Sequence, residues 1–184
     1  MNIKGLSFIV TKKQVIYELG EGNWNEFFEE FKDSHPYFNQ GILATTMIPV
    51  ETYLVFQDAM LKELYNGDEK TYWRFGEEAA KTSLSENGPF HIYVKHKREP
   101  KDFITKVIPR IWKMYYDGGS TKNVLEGNIM HGYILDLPIY HVYFEYITMG
   151  YRQKALELMG IHVKETIKVK GTAKETYYKF VLDL

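Results

Sequence analysis

The chain has 184 residues, 45% of them hydrophobic and 26% charged, enough for one domain with a substantial core. A formal charge of −1 gives no bulk electrostatic case for nucleic acid, and the absence of cysteine excludes disulfides, thiolate nucleophiles, iron–sulfur clusters and cysteine zinc sites. The 3 Trp, 15 Tyr and 11 Phe are a large apolar payload that must go to a core, a pocket or an interface.

The first part of the chain, to about residue 117, reads as helical. Ile9 to Leu19 predicts one helix, closed by Gly20 and Gly22. Asn23 suits the cap of the next, in which Trp24, Phe27, Phe28 and Phe31 recur at i, i+3, i+4 and i+7. Pro49 suits the first turn of a third helix, with Val50, Tyr53, Leu54, Leu61 and Leu64 inward, ending at the Asn66-Gly67-Asp68 turn. A fourth, from about Glu69 to Leu84, presents Tyr72, Trp73, Gly76, Ala79, Ala80 and Ser83, small enough in places to let another backbone come close. Asn87-Gly88-Pro89 breaks the pattern, and residues 90–97 read equally as strand or helix. Pro100 opens a helix with Ile104, Val107, Ile108, Ile111, Trp112 and Tyr115 on one face; Pro109 inside it predicts a kink or two abutting helices.

From about residue 121 the pattern changes. Residues 122–126 and 129–135 around Gly127-Asn128 read as a hairpin. Pro138 to Met159 reads as a long helix with Tyr140, Tyr143, Phe144, Ile147, Tyr151, Ala155 and Leu158 inward. Ile161, Val163, Ile167 and Val169 then alternate with polar residues as in a half-buried strand, and Tyr178, Phe180 and Leu182 share one face of the last strand. The order, helices followed by hairpin–helix–hairpin with a small antiparallel sheet, predicts an α+β fold in one domain, residues 1–184. The start, Met1-Asn2-Ile3-Lys4-Gly5-Leu6, lacks a secretory pattern, and no stretch approaches the roughly 18 apolar residues of a spanning helix, so the expectation is a cytoplasmic protein without a membrane span. Residues 1–92 carry 8 Lys/Arg and 14 Asp/Glu, residues 93–184 carry 15 and 10; this polarity reads either as solvated faces or as a basis for self-association.

Four stretches resemble a superfamily that unites the heme-NO-binding sensor domains, the vinyl-reductase-like sensor domains and the Golgi-transport TRAPP subunits, and within it a bacterial branch of myxobacterial type. They are Lys4-Gly5-Leu6; Ile48-Pro49-Val50-Glu51 with Asn66-Gly67-Asp68 and Phe75-Gly76-Glu77; Ile108-Pro109-Arg110-Ile111-Trp112; and Asp136-Leu137-Pro138 with Tyr146 to Gly150 and Ala155 to Gly160. The resemblance implies helices packed on a small antiparallel sheet around an apolar pocket, which elsewhere holds heme, aromatic effectors or a fatty-acyl chain. The residues that hold heme in that family do not carry over. The helix from Lys101 to Tyr116 has no histidine, and the hairpin Ile129-Met130-His131-Gly132-Tyr133-Ile134-Leu135 has the Tyr but neither Ser nor Arg of a Tyr-x-Ser-x-Arg motif. The expectation is therefore no cofactor, with heme disfavoured, and no zinc, which in the vinyl-reductase-like branch depends on cysteines.

Other constellations read as ordinary structure. His35, His91, His96, His131, His141 and His162 form no His-Glu-x-x-His, and the His91/His96 spacing sends the rings to different faces, so no metal site is expected. Gly118-Gly119-Ser120-Thr121-Lys122 has the wrong order for a phosphate loop, and Gly20-Glu21-Gly22 lacks the third glycine of a dinucleotide fingerprint. Lys95-His96-Lys97-Arg98 reads as a solvated basic loop rather than a phosphate contact. No Gly-x-Ser-x-Gly is present, and pairs such as Glu29/Glu30 and Glu77/Glu78 fall on wet helix faces, so no enzyme is expected. What is left is an aromatic set, with Trp73, Trp112, Tyr115, His131, Tyr133, Tyr140, Tyr143 and Phe144 as candidate ligand-binding residues and Met130 and Tyr151 beside them. They serve either as plain core or as the walls of a pocket between the long helix and the hairpins. Two functions follow. One is a non-enzymatic sensor or binding domain for an apolar or aromatic small molecule, its state read by a separate signalling protein because no output domain is visible. The other is a TRAPP-like interaction or scaffold module that forms a homodimer and binds no ligand.

Overall fold

The computed structural model describes residues 1–88, 90–92 and 99–183. The chain opens with a short strand β1 (Asn2–Lys4), paired antiparallel with β2 (Met47–Pro49); this places Ile3 opposite Ile48, both fully buried. Helix α1 (Gly5–Leu19) follows without a break, four residues earlier than the periodicity predicts. Gly5 makes that start possible, since a Cβ there would lie 2.1 Å from the Leu43 carbonyl oxygen. Gly20, at φ +87°, ends α1 and turns the chain into α2 (Glu21–Ser34), where Trp24, Phe27 and Phe31 are buried as expected. Asn23 lies inside α2 rather than capping it, and its amide donates to Leu19 O at 2.6 Å, satisfying a carbonyl at the end of α1.

Helix α3 (Val50–Tyr65) and helix α4 (Lys70–Leu84) are joined through Asn66 and Gly67, both at positive φ. Gly88 donates its N–H to Ser85 O beyond α4; the residue after it, the 93–98 segment with its basic run, and His96 lie outside the described residues, as does most of the ambiguous 90–97 stretch. The chain returns as a helical turn (Pro100–Asp102), a π-helical turn (Phe103–Val107) and helix α5 (Ile108–Tyr115). Pro109 explains this geometry. Ile108 N–H donates to Phe103 O, five residues back, but the next donor in that register would be Pro109, which has no N–H. The Ile104 carbonyl accepts instead from Asn123 Nδ2 at 2.9 Å, a side chain on the neighbouring strand.

Strands β3 (Ser120–Glu126), β4 (Ile129–Leu135), β5 (His162–Gly171) and β6 (Glu175–Asp183) form an antiparallel sheet in the order β3-β4-β6-β5. Helix α6 (Val142–Leu158) connects the two hairpins, so the architecture is the α+β arrangement expected. It starts at Val142, four residues after the predicted Pro138, and is capped by His141, whose Nδ1 accepts from Tyr143 N–H; the ring's Nε2 therefore carries the proton that it gives to Asp58 Oδ1, 3.0 Å away. On β4 and β6 alternate residues are buried, Met130, Gly132 and Ile134 beside Tyr178, Phe180 and Leu182. Strand β5 corrects the expectation of a half-buried strand: it is an edge, register shifts fall at Val163/Glu165 and Lys168/Lys170, and Ile167 and Val169 are exposed.

Helices α4 and α6 pack backbone to backbone. A Cβ on Gly76 would lie 2.2 Å from Ile147 O, and one on Gly150 would lie 2.2 Å from Trp73 O. Among the described residues the buried apolar side chains form two clusters. A large one runs from α1–α3 to the sheet; a smaller one joins Ala80 and Leu84 to Phe103, Val107, Ile108, Ile111, Tyr151 and Ala155. No helix among the described residues is long and apolar enough to cross a membrane.

Candidate functional site

A cavity of about 430 Å³ lies where the two apolar clusters meet. Each of the helices around it contributes one stripe. Leu6, Ser7, Val10, Thr11, Gln14 and Tyr17 come from α1; Phe75, Glu78, Ala79, Thr82 and Ser83 from α4; Ile108, Ile111, Trp112 and Tyr115 from α5; Tyr143, Ile147, Thr148, Tyr151 and Arg152 from α6. The spacing within each stripe follows the helical repeat, so the cavity is a product of four amphipathic faces that converge without filling the space between them. Thr121 of β3 and Tyr116 complete the lining. Its mouth lies between α1 and α4, where Lys13 and Thr82 are exposed and Tyr17 is 84% exposed; its inner end is marked by Tyr143 and Arg152, at 1% and 0%.

Polar groups at the inner end are tied into chains. Gln57 Nε2 donates to Tyr53 Oη at 2.8 Å and to Thr11 Oγ1 at 3.3 Å, and the Tyr53 and Tyr143 hydroxyls lie 3.2 Å apart. The Tyr151 and Ser83 hydroxyls are 2.8 Å apart, and Trp112 Nε1 donates to Gly118 O at 3.2 Å. Burial pushes the Tyr115 phenol up to about 12, and it raises Tyr53, Tyr116, Tyr143 and Tyr151 as well. All are neutral hydrogen-bonding groups at physiological pH. Among the described residues two buried lining atoms have no hydrogen-bond partner, Ser7 Oγ and Arg152 Nε.

Of the candidate residues, Trp112, Tyr115 and Tyr143 line this cavity, together with Tyr151 from the wider aromatic set. The other five lie elsewhere. Trp73 packs against Tyr146 and Tyr178, and Phe144 fills core between Tyr116 and Tyr143. His131 and Tyr133 are on the far face of β4, where both stack on Tyr177 and His131 Nδ1 lies 2.7 Å from its hydroxyl. Tyr140 precedes α6 and donates to Glu145 Oε2 at 2.7 Å. The expected location is corrected too. The cavity lies among α1, α4, α5 and α6 rather than between α6 and the hairpins, because α6 lies directly over Gly132 and Phe180 with the Arg152 side chain between. Sequence reasoning missed the α1 stripe, since a helix begun at Ile9 loses Leu6 and Ser7, and it missed Arg152, which lies nine residues and so about two and a half turns after Tyr143, off the tyrosine stripe of α6.

No protein-family profile and no curated protein matches the chain. Solved structures do. An Fe(II) unliganded H-NOX protein mutant from K. algicida aligns over 98% of this chain and 97% of its own, with TM-score 0.69 and 13% identity. The fold is that of the H-NOX, or heme-NO-binding, domains. An H-NOX protein from S. oneidensis in the Fe(II)NO state (TM-score 0.67, 14% identity, 98% and 99% coverage) and one described by the function of heme distortion in the H-NOX family (0.68, 12%, 98% and 94%) agree.

This likeness corrects the expectation of no cofactor. That expectation rested on two motif positions, whereas the H-NOX fold spans nearly the whole chain, and its solved representatives are described by Fe(II) ligation states and by their heme. The cavity suits such a group in two respects, apolar walls for a flat ring and the Arg152 cation for an acid group. Among its described lining residues there is no histidine, so a protein bond to iron would fall to a phenol oxygen such as that of Tyr115, Tyr116, Tyr143 or Tyr151.

Proposed function

We propose that this H-NOX-like protein is a non-enzymatic ligand-binding domain of the sensor type, and that the cavity between α1, α4, α5 and α6 holds its small-molecule ligand. The observation that carries this reading is the cavity itself, of a volume ordinary for small-molecule sites, with mostly apolar walls and a few polar points. A dimerising scaffold without a ligand calls for an interior packed solid, so the cavity favours the binding domain. An occupant would touch four helices at once, and a change in its shape or ligation would be felt at each of them. Through α5 and its π-helical turn that change would reach β3 by the Ile104–Asn123 hydrogen bond.

The test is native mass spectrometry of protein purified from cells supplied with heme, followed by organic extraction and absorption spectroscopy. The reading predicts a bound small molecule, released on denaturation; a Soret band identifies it as heme. Adding the extracted molecule back at a hundred times its Kd should raise stability by about 2.7 kcal/mol, a rise in Tm of roughly 5–10 °C for a chain of this size. Protein that carries nothing, and that no apolar probe or hemin stabilises, would overturn the reading.

A further inference from the structure

The chemistry of the occupant can be taken further, on the reading that the cavity is a binding site. Of the charged side chains in its wall, Lys13 stands in solvent at the mouth and Glu78 pairs with Lys81, whereas Arg152 is 0% exposed. A guanidinium offers five N–H donors and accepts nothing. Arg152 Nη2 donates to Tyr133 O at 2.9 Å and to Thr121 Oγ1, and Nη1 meets only the weak acceptor Met149 Sδ, at 3.0 Å. Nε has no partner. Burial alone lowers its pKa, to about 9, with no acid among the described residues to oppose the shift, so among those residues the group is a buried cation without a counter-ion at neutral pH.

Such an arrangement costs stability that an apolar side chain of the same size would not. The fold nevertheless makes room for it: a Cβ on Gly132 would lie 3.0 Å from Arg152 Nη1 and 3.3 Å from the Phe180 ring. Ser7 Oγ, the second buried atom without a partner in this wall, adds a hydroxyl donor from α1. We propose that the cavity takes an apolar molecule ending in a carboxylate, and that the Arg152 guanidinium is the counter-ion that receives it. One cation at the end of an apolar chamber matches a single negative charge, and the planar fork of a guanidinium matches a carboxylate's two oxygens.

Calorimetric titration with dodecanoate, with dodecanol and with hemin, whose porphyrin also carries carboxylates, tests this on the full chain and on Arg152→Met, Arg152→Lys and Lys13→Ala. Dodecanoate should bind at least about tenfold more tightly than dodecanol, or hemin should bind in its stead. Arg152→Met should erase that preference or the hemin binding while raising the Tm of the empty protein; Arg152→Lys should keep part of it, and Lys13→Ala all of it. Whichever of the two acids depends on Arg152 identifies the source of the carboxylate. Dodecanol binding as tightly as dodecanoate, a preference lost in Lys13→Ala instead, or Arg152→Met binding either acid at full strength would overturn the counter-ion while leaving the cavity reading intact. Binding of none of the three would overturn the cavity reading itself. A fall in Tm for the empty Arg152→Met would assign the side chain to structure and count against the proposal.

Discussion

Glu145 and Arg152 sit on the same helix, both buried, and are treated by the fold in opposite ways. Glu145, 1% exposed, accepts from Tyr140 and Tyr178 and pairs with Lys168 at 2.7 Å, so its oxygens are fully engaged where α6 meets β5 and β6. Glu145→Ala should therefore lose about 3 kcal/mol in urea denaturation, since it leaves two hydroxyls and an ammonium without their acceptor. The buried tyrosines make a second residue-scale prediction. Phenols raised in the folded state contribute stability that is complete below the ordinary tyrosine value near 10 and is lost at higher pH. Alkaline titration should show phenolate absorbance from the buried set rising together with loss of circular dichroism, above pH of about 11; a smooth titration that precedes unfolding would contradict their burial. Neither buried charge was legible in the sequence. The pattern on α6 identifies its tyrosine stripe, but Glu145 and Arg152 read as polar breaks until the sheet is placed against them, because a single helix does not say which of its faces are covered.

At the scale of elements, the decisive contact is the α4–α6 pair. The run of small residues on α4 was visible as a place for close approach, and Gly76 and Gly150 are where it occurs. Gly76→Ala and Gly150→Ala should each cost about 2–3 kcal/mol by forcing the helices apart, despite alanine's better helix propensity, and a stability equal to the parent would contradict the close packing. The break in the helix near Pro109 was legible as well, though not its form: a π-helical turn abuts α5, and the exchange of a missing proline donor for Asn123 joins residues far apart in sequence. Asn123→Ala should destabilise by about 1–2 kcal/mol, read as a shift of the denaturation midpoint, because it strands the buried Ile104 carbonyl. Strand β5 was the element least determined by its pattern. Alternation of apolar residues gives a strand's faces only while its register holds, and its shifts at Val163/Glu165 and Lys168/Lys170 break that register.

For the whole molecule, the α+β order and the superfamily resemblance were readable from the sequence, and the H-NOX fold is their outcome. The cavity was only half readable. Aromatic residues on α5 and α6 pointed to it, yet its other two walls belong to α1 and α4, and convergence of four helix faces is a property of their packing rather than of any one pattern. The central claim, that this space holds a ligand, is tested most directly by filling it. Ala79 lines the cavity from α4, and Ala79→Trp would occupy the space with an indole. Calorimetry with the ligand recovered from the native protein should show binding to the parent and none to Ala79→Trp, with the variant's circular dichroism unchanged. Equal affinity in a folded Ala79→Trp would place the ligand elsewhere and contradict the account.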